Sequence, residues 1–323
     1  MPTLPDACII MSSKMTPQFL AALTQIGQPY QLHEPLAQHT TFRLGGPAQI
    51  WLAAQSVTAL VQAVQLAREY AVSFFILGGG ANLLISDNGF AGLVIQNRTS
   101  RVQFPEINAA SSSVTLTVDS GVILPNLARR CAKRGLAGLE WAAGVPGTIG
   151  GAVVNNAGAY GSDIAHDLLR AELLSPTGER VWQAADWFEY RYRWSRLKGQ
   201  ASHETAWVVL QAELQLAVAP VAEVEQRLAD FNTRRKASQP PGATIGSMFK
   251  NPPGDYAGRL IEAVGLKGYR YGQAQISPIH ANFFQNLGRA TATEVYHLIT
   301  TAQQAVAQKF NIQLELEVEV IGE

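Results

Sequence analysis

Apolar side chains at Val57, Leu60, Val61 and Val64 recur at the spacing of one helix face, and Ser56 stands just ahead of them where an N-cap belongs. The pattern predicts an amphipathic helix opening at Ser56. Directly after it "AVSFFIL" reads as a buried strand, and "GGGANLLISDNGFAGLVI" as strand, glycine turn and strand. "VTLTVDSG" supplies another strand ahead of a helix over about 125–133, closed by Gly135. Further on, "LRAELLSPTGER" is a strand entering a turn, and "WVVLQAELQLAV" is a long alternating strand that ends near Pro220. Beyond Pro220 the pattern is that of a charged helix over 221–236. A loop, a short helix near Leu260, a strand near Gln275, a long helix over 293–309 and a closing strand "IQLELEVEVIG" follow. The chain is expected to be α+β with short strands, with Pro220 opening a separate, smaller α+β domain.

One stretch fits neither period. From Trp141 to Ser162 no side chain is charged, and six of these residues are glycine. Glycine costs helix stability and Pro146 removes a backbone donor, so the stretch is a poor membrane helix despite its length. Two readings remain open: backbone packed against a large ligand, or a glycine-bent segment of core. A second run, Gly78, Gly79 and Gly80, follows the predicted strand "FFIL". Successive N–H groups there can form a nest for an anion, and a plain tight turn reads equally well. The run has neither the Rossmann nor the Walker spacing. With "TTFRLGGPAQ" at 40–49 the chain offers three backbone-exposing loops, which suit one extended diphosphate ligand. Arg43 in the first of them either offsets phosphate charge or stands solvated at the surface.

Composition narrows the classes. In a chain of 323 residues, which calls for two or three domains, 25 Lys+Arg balance 25 Asp+Glu and no long basic run occurs, so a nucleic-acid partner is excluded. Two cysteines and six scattered histidines give no disulfide framework and no metal-ligand spacing. The N-terminus lacks the basic region and long apolar run of a secretory signal, so a cytoplasmic protein without membrane attachment is expected. A monomer is expected from the lack of an obvious interface helix.

The segments "TTFRLGGPA", "ILGGGANLLISDNGFAGLVI", "GLEWAAGVPGTIGGAVVNNAGAYG", "YRWSRLK", "GSMFKNPPGDYAGRLIEAVGLKG", "HANFFQN" and "LELEVEVIG" occur in order over most of the chain. Together they resemble the UDP-N-acetylenolpyruvoylglucosamine reductase family. The direct run from "LQLAVAP" to "RRKASQPPGATIGS" has no room for a tyrosine-bearing lid insertion, so the likeness is to the shorter-loop branch. The resemblance implies a two-subdomain FAD-binding fold of the vanillyl-alcohol-oxidase (PCMH) type, followed by a smaller α+β substrate domain. The implied division is an N-terminal extension at 1–35, disordered in part, FAD-binding subdomains at 36–97 and 98–219, and a substrate-binding domain at 220–323.

By this similarity FAD is held non-covalently by Arg43, Leu77, Gly78, Gly79, Gly80, Ala81 and Asn82. The second set of FAD contacts is Gly144, Pro146, Gly147, Thr148, Gly150, Gly151, Asn155, Gly158, Ala159 and Tyr160. A nucleotide-sugar substrate is held by Tyr192, Lys236, Lys250 and Asn251; Ser238 stands where the family usually has a basic residue, so Arg235 beside Lys236 is the other basic group for the substrate phosphate. The implied reaction is NADPH-dependent reduction of an enolpyruvyl ether through the flavin, which completes UDP-N-acetylmuramate for peptidoglycan.

Three positions match the family's catalytic residues. Ser247 in "GSMFKN" matches the general acid, a weak acid unless a cation assists it. Arg193 in "YRWSRLK" matches the arginine that pairs with the carboxylate as it gains enolate character, with Arg191 a rival of the same strand parity. Glu317 matches the glutamate near the enolate; on an alternating strand it would share a solvated face with Glu315 and Glu319. A carboxylate there is expected to be hydrogen-bonded to Arg193 or protonated. Two alternatives stand beside this reading: an oxidase of the same fold, which often carries a flavin-linking histidine where this chain has Ala81 and Asn82, and a non-catalytic flavin-binding module. A mere scaffold need keep none of the three catalytic residues.

Overall fold

The computed structural model describes residues 16–108, 111–198 and 206–322. Helix α1 (Pro17–Gln25) opens the described chain, with Thr16 as its N-cap and Phe19 and Leu23 fully buried. The apolar face of α2 (Val57–Glu69) buries Leu60, Ala63, Val64 and Ala67, and the Ser56 hydroxyl accepts from the Ala59 N–H at 3.1 Å as the capping pattern predicts. Strands β1 (Tyr30–Pro35), β2 (Pro47–Ala54), β3 (Phe74–Leu77) and β5 (Phe90–Asn97) form a sheet in the order β1-β2-β5-β3. Strand β4 (Leu83–Ile85) stands outside it. The expected extension at 1–35 is thus shorter: α1 lies in the core against α2, and β1 is a sheet strand. Phe19 supplies the apolar surface that makes the helix part of the fold, packing on Tyr70 with ring centroids 5.7 Å apart. The first 15 residues of that extension lie outside the described residues.

The second layer is an antiparallel sheet of β6 (Val102–Gln103), β7 (Ser113–Asp119), β11 (Leu168–Leu174), β12 (Arg180–Ala184) and β13 (Val208–Val218), with β8 (Leu136–Ala137) pairing the end of β13. Its helices are α3 (Leu124–Ala132), α4 (Ile149–Asn155) and α5 (Ile164–Asp167), and β9 (Gly158–Ala159) pairs with β10 (Ser162–Asp163) between α4 and α5. Strand β13 alternates as expected, and its faces enter two cores. Val209, Ala212, Leu214 and Leu216 join the second layer, while Val208 and Leu210 join the first. Helix α6 (Val221–Ser238) follows Pro220, but it does not open the third domain. It packs on α3, Leu228 reaches the second core, and Arg227 Nε bonds Glu140 Oε1 at 2.9 Å. The change of period at Pro220 marks the end of a strand, not of a domain.

The third layer has strands β14 (Ala243–Ser247), β15 (Arg270–Tyr271), β16 (Ala274–Ile276) and β17 (Phe283–Asn286) in the order β14-β17-β16-β15, with α7 (Ala257–Ala263) and α8 (Ala292–Phe310). A capping box of Thr291 and Glu294 starts α8, and Asp87 from the first layer accepts from its Ala292 and Thr293 N–H groups at 2.7 and 3.0 Å. The predicted closing strand is mostly not a strand. Residues 315–317 lean on the third layer, where Lys250 N–H donates to Glu315 O and Glu317 N–H to Met248 O, both at 2.9 Å. The chain then crosses to the first layer, where β18 (Glu319–Ile321) pairs in parallel with β4. Changing partners midway breaks the alternation that the sequence displays.

Because Phe19 is fully buried, Phe19→Ala should cost about 3–5 kcal/mol of stability, the usual cost of emptying an aromatic core site. A loss of unfolding free energy below about 1 kcal/mol in a denaturant titration would show α1 to be dispensable.

Candidate active site

The three glycine-bearing loops touch one another. Thr41 N–H donates to Gly80 O at 3.0 Å, and the Thr41 hydroxyl to Thr244 O of β14 at 2.9 Å. A Cβ on Gly79 would lie 3.0 Å from Gly147 Cα, and one on Gly78 2.6 Å from Thr148 Oγ1. At Gly80 φ is +61° and a Cβ would fall 2.1 Å from His39 O, so only glycine fits there. The uncharged stretch divides into a loop and α4, whose N-cap Thr148 accepts from Gly151 N–H at 3.4 Å. Gly150 N–H donates to Ser120 O at 2.7 Å, tying the helix start to the end of β7.

Between these loops and the third layer lies a cavity of about 660 Å³, within the usual range for a small-molecule site. Its wall contains Gly78, Gly79, Gly80, Ala81 and Asn82 from one loop and Pro146, Gly147, Thr148, Gly150, Gly151, Asn155, Gly158 and Ala159 from the uncharged stretch. Asn155 Nδ2 donates to Gly151 O at 3.0 Å, while its Oδ1 is buried and without a partner among the described residues. That orphaned acceptor calls for a donor on a ligand.

Arg193, Ser247 and Glu317, from three distant segments, all line this cavity. Arg193 Nε donates to Glu317 Oε1 at 2.8 Å and its Nη2 to Gly158 O at 2.7 Å. Glu317 is held through its backbone as well: its carbonyl accepts from Asn82 Nδ2 at 3.1 Å and Lys198 Nζ at 3.4 Å. Burial pushes the Glu317 carboxyl above its ordinary range, and the adjacent Arg193 opposes the shift. Ser247 ends β14 after a register shift against β17, where Gly246 has φ +89°. The 190–195 segment is a turn closed by an Arg191–Trp194 bridge, with Arg193 at φ +52°, so strand parity does not relate the two arginines. Arg191 lies over the Trp194 ring at 4.9 Å and takes no part in the wall.

Eight expected contacts lie outside the wall. Leu77 is fully buried in the core beneath it. Arg43 is exposed, and its carbonyl is taken by Asn286 Nδ2 at 3.0 Å. Gly144 sits behind the wall, where a Cβ would meet Arg235 Cδ at 3.0 Å. Tyr160 stacks on Phe231 of α6 with centroids 4.7 Å apart. Tyr192 is 53% exposed, with the Arg193 guanidinium 5.2 Å from its ring centroid. Lys250 pairs with Glu315 at 3.1 Å, and Asn251 Oδ1 accepts from Ala257 N–H at the start of α7. Lys236 is exposed on α6, and its neighbour Arg235 lines the cavity instead.

Sequence reasoning put Lys236 ahead of Arg235 and missed Gln239 and Lys198; Arg235, Gln239 and Lys198 are all in the wall. Burial lowers the Arg235 and Lys198 pKa values from their ordinary ranges. The phase of α6 holds the signal for Arg235. Val224, Leu228, Phe231 and Arg235 share one helix face, and Lys236 falls off it. Lys198 closes the quoted "YRWSRLK" segment.

Residues 48–183 match the model of an FAD binding domain, and residues 237–321 that of the UDP-N-acetylenolpyruvoylglucosamine reductase C-terminal domain. The chain is 42% identical over 290 residues to the UDP-N-acetylenolpyruvoylglucosamine reductase of Rubrobacter xylanophilus, covering 90% of this chain and 94% of that one. It is 42% identical over 289 residues to that of Chloroflexus aggregans, covering 90% and 96%. The crystal structure of UDP-N-acetylenolpyruvylglucosamine reductase from Thermus caldophilus superposes with a TM-score of 0.74 at 33% identity, covering 91% of this chain and 99% of that one.

The glycine wall and the orphaned Asn155 acceptor suit a flavin cofactor. Gly79→Val should therefore purify without bound FAD, because the new side chain drives into Gly147 and closes the gap between the loops. Flavin absorbance per chain is the measurement, and a yellow variant would move the cofactor elsewhere.

Proposed function

The chain belongs to the UDP-N-acetylenolpyruvoylglucosamine reductase family, and from that premise we propose that its cavity reduces UDP-N-acetylenolpyruvoylglucosamine with Arg193, Ser247 and Glu317 as the working groups and NADPH as the reductant. The enzyme is an FAD-dependent oxidoreductase of peptidoglycan precursor synthesis. FAD, when bound between the glycine loops, supplies the hydride that adds to the substrate's methylene carbon. Ala81 and Asn82 offer no histidine for a covalent link, which supports non-covalent binding. A cytoplasmic monomer is the matching state; among the described residues no helix is long and apolar enough to cross a membrane.

The remaining chemistry falls to the chain. Arg193, fixed by Glu317 and Gly158 O, keeps further N–H groups for the substrate carboxylate. Glu317 orients that guanidinium and prevents it from collapsing onto solvent. Ser247 would deliver the proton to the carbon next to the carboxylate. Arg235, at the α6 side of the cavity, meets the diphosphate in place of Lys236. The observation that carries this reading is the convergence of Arg193, Ser247 and Glu317 on one wall of the cavity that the glycine loops enclose.

Anaerobic addition of NADPH should bleach the flavin, and UDP-N-acetylenolpyruvoylglucosamine should restore its colour. Ser247→Ala should leave bleaching near normal and slow recolouring by about 10²- to 10⁴-fold, or about 3–5.5 kcal/mol of barrier. Stopped-flow absorbance separates the halves. Equal slowing of both would indicate a misplaced flavin, and an unchanged second half would remove Ser247 from the mechanism.

A further inference from the structure

Charge in the cavity wall is unevenly matched. Arg193 and Glu317 form an ion pair at 2.8 Å, so together they bring no net charge to the substrate. Lys198 also lines the cavity, and its Nζ donates to the neutral backbone carbonyl of Glu317 at 3.4 Å. Among the described residues it makes no ion pair within 4 Å; the carboxylates of Glu319, which also lines the cavity, and Glu317 act on it from farther off and favour its charged form, while Lys250 and Arg193 oppose it.

The position of Lys198 is built. Ser195, fully buried, donates its hydroxyl to Val154 O of α4 and accepts from Leu197 N–H at 3.2 Å. Lys198 N–H in turn donates to Ser195 O at 2.9 Å. One buried serine thus anchors the turn that carries both Arg193 and Lys198 to the helix bordering the cavity.

The reaction shifts charge. As hydride adds to the methylene carbon, the π pair of the enol-ether double bond moves toward the carboxylate, which passes from monoanion to dianion. The pair returns when Ser247 protonates the adjacent carbon, and the serine regains its proton from water. A cation in contact with a carboxylate is poorly placed to answer that transient second charge, whereas one held only by a backbone carbonyl keeps N–H groups for it.

We propose that Lys198 is a catalytic residue of this reaction, the wall cation without a contact ion pair, which stabilises the substrate's enolate dianion beside the Arg193–Glu317 pair. This rests on the functional reading above. Only its ammonium form serves, and burial lowers its pKa from the ordinary lysine range.

The test reduces the flavin with dithionite, which leaves NADPH out, and then mixes it with UDP-N-acetylenolpyruvoylglucosamine from neutral to alkaline pH. Wild type should recolour quickly with a fall at alkaline pH. Lys198→Met should be slower by about 10²- to 10³-fold at neutral pH, the worth of one preorganised charge donor. Lys198→Arg should keep the rate within about tenfold and lose the alkaline fall, since guanidinium does not titrate there. Calorimetry on the oxidised enzyme should show substrate affinity reduced less than about tenfold in Lys198→Met, because the dianion exists only during turnover. FAD content and circular dichroism report folding. A Lys198→Met rate within a few-fold of wild type, an affinity loss that accounts for the whole effect, or an unchanged alkaline limb in Lys198→Arg would overturn the proposal. A wild type that does not recolour would instead overturn the functional reading itself.

Discussion

The ion pair between Arg193 and Glu317 is the joint on which the site depends. Glu317 is fastened by its peptide to Met248 in the third layer and to Asn82 in the first, while Arg193 arrives on a turn of the second. A buried carboxylate with its pKa raised by desolvation tolerates the charged form only while its partner is present, and an unpartnered one costs several kcal/mol. Each layer thereby becomes a condition for the others. The cavity is the space left between three cores that share this contact.

The uncharged stretch follows from the same geometry. Its residues lie between the second sheet and the cavity, so on both sides a charge would be buried without a partner. Backbone takes over the polar duties there, because α4 and the loops before it can approach the Gly78–Gly80 turn only if side chains are absent. Such a wall has few rotamers to order when a ligand arrives, and its dipoles are fixed before binding.

Regular elements were legible where one core owned them. The Ser56 cap, the stripe on α2 and the span of α8 each answer to one core, and local pattern sufficed. Pattern misled where the partner changes. "LELEVEV" alternates perfectly, yet the chain leaves one layer for another in its middle, and α6 turns back onto the second layer although Pro220 looks like a boundary. The glycine loops were legible as wall because close approach needs glycine, but long side chains such as Arg43, Tyr192 and Lys236 reach whichever way their backbone phase sends them. Helix phase would have chosen Arg235. Nothing local separates Lys198 from an ordinary surface lysine, since its burial comes from segments remote in sequence.

The parallel pairing of β4 with β18 also sets an order of events during synthesis. Leu83–Ile85 is made early, and its strand partner Glu319–Ile321 much later, so the first layer must hold an open hydrogen-bonding edge until that segment emerges from the ribosome. Closing so long a loop is slow, and before it closes Glu317 has no place to stand. The wall that Arg193 and Ser247 line is therefore complete only once Glu317, 235 residues on from Asn82, has docked beside it.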